Sequence, residues 1–139
     1  MKSLYLALVL TATLTSAFGQ SVREGGGRRG STSVFIVFSS IGAGIDHKTS
    51  VKTEKLIDLA DKDGKVVKRS ETAWGREGEV TYCVEFNDIF MPHAFIKLLA
   101  PAIMADRKKV GYERTAVYSG ASCDNIDHAT RQNIAAYLR

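Results

Sequence analysis

The apolar pattern is densest at Val34-Phe35-Ile36-Val37-Phe38, five residues in a row that are all β-branched or aromatic. Such a run reads as a strand buried on both faces, and a doubly covered strand is normally central in its sheet. Gly42-Ala43-Gly44 then marks a tight turn, and Asp46 or Ser50 can cap a helix that runs to about Ala60. Thr53, Leu56, Ile57 and Ala60 fall on one face of that helix, and Asp63-Gly64 ends it. Lys65 to Trp74 follows as a mostly polar strand with Val66 and Val67 its only aliphatics. That composition suits a sheet edge, where charge discourages pairing with other molecules.

Gly75-Arg76-Glu77-Gly78 is a hairpin loop, and Glu79 to Phe86 alternates cleanly. Val80, Tyr82, Val84 and Phe86 line one face of this strand, with Thr81, Cys83 and Glu85 on the other. Asn87 or Asp88 opens a second helix with Pro92 in its first turn and a stripe of Met91, Ala94, Phe95, Leu98, Leu99 and Ala102. Pro101 is expected to kink or shorten it. Val110 to Tyr118 reads as a fourth strand, and a short helix is expected from about Ile126 to Leu138. The order is βαββαβ, an α+β fold of ferredoxin-like type. Its antiparallel sheet carries two helices on one face and a short C-terminal helix, which should cover Phe35 and Val37 on the other.

Ahead of this domain, over residues 34–139, the pattern changes twice. Lys2, the apolar run Leu4–Leu14 and Ala17-Phe18-Gly19 have the form of a secretory signal peptide over residues 1–19. Residues 20–33, with Gly25-Gly26-Gly27, Gly30 and Arg28-Arg29, read as a flexible arm. The expected location is therefore secreted or periplasmic, with no transmembrane segment.

Charge adds little. The chain has a formal net charge of +4 with Lys+Arg 19 and Asp+Glu 15, and Arg23, Arg28 and Arg29 concentrate part of it in the arm. The globular part is close to neutral, which does not fit a nucleic-acid binder. Two cysteines in an oxidising compartment pair most simply with each other. Cys83 lies mid-strand and Cys123 just past the fourth strand, so a Cys83–Cys123 disulfide would draw the tail over the open side of the sheet.

Candidate chemistry clusters after the first strand. Gly42, Ala43 and Gly44, followed by Asp46 and His47, form a loop leading into a helix, where backbone N–H groups and the helix dipole favour a phosphate or carboxylate. The alternative is a turn that needs glycine. Ser39 and Ser40 stand at a strand end near His47, a nucleophile-and-base arrangement for a small hydrolase. His47, His93 and His128 lack ligand partners at metal spacing, so neither a metal nor another cofactor is implied. Val34-Phe35-Ile36 and Tyr82-Cys83-Val84-Glu85-Phe86 resemble the signatures of an RNA-recognition domain. The RNA-facing positions would be Glu79, Thr81 and Cys83 in place of a base and two aromatics, so RNA binding is not carried over. The expectation is a small exported binding domain for another exported protein or a small anionic ligand. A small hydrolase and a structural envelope protein are the alternatives.

Overall fold

The computed structural model describes residues 32–139. The expected signal peptide and all but the last two residues of the expected arm lie outside the described residues. The elements run β1 (Ser33–Phe38), α1 (His47–Lys62), β2 (Val66–Ala73), β3 (Val80–Phe86), α2 (Met91–Val110), β4 (Thr115–Gly120) and β5 (Thr130–Arg131). Together they make an α+β fold whose antiparallel sheet has the order β2-β3-β1-β4-β5.

β1 lies between β3 and β4, with Phe35 opposite both Cys83 and Tyr118. Alternation then sends Val34, Ile36 and Phe38 to one face, with Val80, Tyr82, Val84 and Phe86 beside them. These side chains pack against Ile57 and Ala60 of α1 and Phe95, Leu99 and Ile103 of α2 in the main core. Val34, Ile36, Phe38, Val84 and Leu99 have no solvent exposure. Both helices therefore cover the same face.

Ser33 belongs to β1 and is buried, and the Thr32 backbone N–H donates to the Gly120 carbonyl. Other expectations are corrected. α2 is not shortened at Pro101 but continues to Val110, where Gly111 closes it at φ 84. Proline removes one backbone bond there. In the same turn the Leu98 carbonyl accepts from Lys52 Nζ of α1, and Leu99, Ala100 and Ile103 hold the helix to the core. Val110 thus ends α2, and β4 begins only at Thr115.

The C-terminal α-helix is absent. Two 3-10 turns, Ile126–His128 and Ile134–Leu138, flank β5, whose Thr130 and Arg131 pair with Ser119 and Tyr118 at the sheet edge. That edge strand carries the chain from one face to the other. Ile134 consequently enters the helix-side core with Tyr137 packed against it, instead of covering Phe35 and Val37.

Candidate functional site

The face away from the helices presents Phe35 and Val37 of β1, Thr81, Cys83 and Glu85 of β3, and Ala116 and Tyr118 of β4. From β2, Ser70 and Thr72 stand opposite Cys83 and Thr81. Cys83 and Cys123 are bonded, with Cα atoms 5.8 Å apart across a separation of 40 residues. Phe35, Cys83, Cys123 and Ile126 share one shallow groove with Ser70, Thr72 and Thr81. Phe35, on the face without α1 and α2, is 4% exposed and lies beside the disulfide and Ile126 in this groove.

Polar contacts fix the rim. Glu85 Oε2 accepts from the Cys123 backbone N–H at 3.3 Å, and Lys68 is paired with Asp124. The hydrogen bond between them raises the Lys68 pKa and lowers that of Asp124. At the far end Trp74 remains 43% exposed while its Nε1 donates to Thr81 Oγ1 at 3.1 Å. An indole whose only donor is satisfied by the sheet beneath it offers an ordered apolar surface to solvent.

The loop singled out in the sequence has a different character. Gly42 and Gly44 sit at φ 74 and 72, the left-handed region that glycine enters without a Cβ clash. Asp46 is buried and caps α1, Oδ1 accepting from the Thr49 N–H at 3.1 Å, while Oδ2 is without a partner among the described residues. A carboxylate thus already stands at the start of α1, where an anion would be received, and takes up the dipole. Arg114 secures the loop from behind. Its Nη1 donates to the Gly44 carbonyl at 3.1 Å, and Nε and Nη2 grip Asp106 at 2.9 and 2.6 Å. The Asp106 hydrogen bonds, opposed by desolvation and helped by the Asp46 charge, raise the Arg114 pKa.

Ser39 and Ser40 are half-buried, and the Ser40 hydroxyl donates to Glu77 of the hairpin loop. His47 is exposed in the first turn of α1, with its backbone N–H on the Ile45 carbonyl. The structure therefore brings Ser40 to Glu77, and Gly44 and Asp46 to Arg114. Among the described residues, no cluster of three or more His, Cys, Asp or Glu is gathered for a metal ion. None of the described helices is long and apolar enough to cross a membrane.

Trp74 is a candidate that the sequence reading passes over. It closes a polar stretch next to a glycine loop, where a lone aromatic reads as the end of an edge strand. Its only advance signal is parity: Trp74 stands in step with Ser70 and Thr72. Comparison with protein-family models, curated proteins and solved structures finds no match for the chain.

Proposed function

We propose that the protein is a small, non-enzymatic binding domain of an exported compartment, and that it engages another exported protein through the open sheet face around Trp74. The observation that carries this reading is the ordered, 43% exposed indole beside a groove whose wall is a disulfide. Tryptophan and tyrosine dominate the energetics of protein contacts, and a surface fixed before binding loses little entropy on complex formation. Tyr118, half-buried on the same face, extends the patch across the sheet. The disulfide is compatible with an oxidising, exported location. The hydrolase alternative needs Ser39 or Ser40 beside His47, and the bond from Ser40 to Glu77 favours binding over that chemistry. The ferredoxin-like reading of the first four strands is supported by their β2-β3-β1-β4 order and the shared helix-covered face, with β5 added at the edge.

The test uses the protein as bait against extract from its native compartment, with Trp74→Ala and, as a control on the helix side, Leu59→Ala. A partner retained by the wild type and by Leu59→Ala should be lost from Trp74→Ala, with all three proteins showing the same urea midpoint. Trp74 is the single tryptophan, so titrating the purified partner should shift indole emission directly. Equal capture by Trp74→Ala would sink the proposal.

A further inference from the structure

β2 is an edge strand, paired with β3 on one side and with nothing on the other among the described residues. The Trp74 N–H donates to the Glu79 carbonyl at 2.8 Å. In an antiparallel ladder the bonded residues alternate, so Thr72 and Ser70, in step with Trp74, also direct their backbone groups to β3. Arg69, Glu71 and Ala73 direct theirs outward. A strand added to this edge must bond to those three residues.

We propose that the strand added there is β2 of a second copy, antiparallel and centred on Ser70, so that Arg69 of each copy stands opposite Glu71 of the other. Backbone parity and charge together select this register. Pairing centred on Arg69 opposes two guanidinium groups, and pairing centred on Glu71 opposes two carboxylates. Directly opposed like charges destabilise a sheet, whereas opposite charges support it. Centring on Ser70 produces two complementary pairs by symmetry and places Lys68 opposite Thr72, so no like charges stand directly opposite across the two strands. The second copy's Glu71 shares Arg69 with Asp58 and Asp61. The bulge between Val66 and Lys68 confines the match to the stretch that follows it. The charges that repel an arbitrary strand are the ones that match this one.

The side chains are ready for it. Arg69 is held on the helix side of the sheet by Asp58 at 2.7 Å and Asp61 at 3.7 Å, both through Nη1. Nε and Nη2 have no partner among the described residues, and a guanidinium carries five donors. Glu71 is exposed and has no ion-pair partner among the described residues. Five or six residues of strand contact fall below the roughly 1,200 Å² of a standard complex, so the dimer exchanges rapidly and forms at high concentration. The two-fold axis is perpendicular to the sheet, which keeps both open faces on the same side of a joined sheet.

Sedimentation velocity of the protein from about 10 µM to about 1 mM covers the range for such a contact. The wild type should move from monomer toward dimer. Arg69→Glu and Glu71→Arg should each weaken association by about tenfold or more, because each opposes like charges. The double variant R69E/E71R restores opposite pairing and should recover association. Arg69→Glu also faces Asp58 and Asp61, so amide exchange on the wild type supplies a readout independent of that variant's folding. The outward amides of Arg69 and Glu71 should gain protection as concentration rises, while those of Ser70 and Thr72 stay constant. A monomer throughout, a dimer indifferent to all three variants, or a double variant as weak as the singles overturns the proposal. Self-association and capture of a partner by Trp74 are separate readouts, so either proposal can fail alone.

Discussion

The two faces of the sheet are made from the same strands yet are held by different forces. On the helix side, Val34, Ile36, Phe38, Val84 and Phe86 meet α1 and α2 in a closed apolar core. On the other side, Phe35 shares a shallow groove with one disulfide and Ile126, beside the paired charges of Lys68 and Asp124. Apolar burial scales with area and needs whole elements to supply it. A disulfide acts mainly by restricting the unfolded chain and needs only two residues. A single sheet can therefore remain covered on one side and available on the other.

The sharpest way to break that contrast is to damage each face in turn. Phe38→Ala empties a fully buried site where Phe38 meets the Tyr82 ring edge-on at 5.9 Å. It should lower the unfolding free energy by about 3–5 kcal/mol in urea titration. Cys83→Ala with Cys123→Ala removes a crosslink spanning 40 residues. The chain-entropy estimate puts that loss at about 4 kcal/mol as an upper figure. The pattern should differ too: near-ultraviolet circular dichroism should hold at low temperature, with faster proteolysis after Ala121. If the double variant melts with the wild type, covalent anchoring of the open face is wrong.

The smallest effect sharpens the comparison from inside the apolar face. Tyr82 is buried there, its hydroxyl donating to Glu54 and lying 3.3 Å from Ser50 Oγ. Burial first, and then the bond to Glu54, push its pKa up to about 12. An unfolded tyrosine ionises near pH 10. Below that pH both states keep the proton, and Tyr82 takes nothing from stability. Between about pH 10 and 12 only the unfolded chain releases it, so stability falls as pH rises, by at most about 2–3 kcal/mol. Tyr82→Phe should flatten this part of the stability–pH curve relative to wild type. Parallel curves for the two proteins would refute it.

The helix-side core was legible because period and burial agree. The alternation from Val80 to Phe86 and the stripe containing Phe95 and Leu99 each point to one face, and the structure buries them there. The Cys83–Cys123 bond was legible from strand parity and chain position. The tail was not. Ile134, Tyr137 and Leu138 have helical spacing, but Thr130 and Arg131 are recruited as an edge strand by β4, a tertiary contact that leaves no periodic trace. The shortening expected at Pro101 failed for a related reason, since packing of Leu99 and Ile103 sustains a helix that local propensity would end. At the candidate site, glycine spacing drew notice to residues 42–44. That spacing gave no sign of Arg114, seventy residues from Gly44, or of the exposed tryptophan on the open face.

The course of the last residues also has a mechanical meaning. From Cys123 the chain leaves the open face, runs along the edge as β5 and enters the opposite face at Ile134. Tension applied at Arg139 would first peel the Ile134–Leu138 turn and then unzip the two-residue β5. Next comes the Ile126–His128 turn, and beyond it the peeling stops at a covalent link into the middle of the central sheet. Everything between Cys83 and Cys123, including α2 and β4, is shielded from extension. The segment from Asp124 to Arg139 is thus a short compliant stretch with a hard stop at Cys123. Pulled from that end, the folded unit would give a little and then hold.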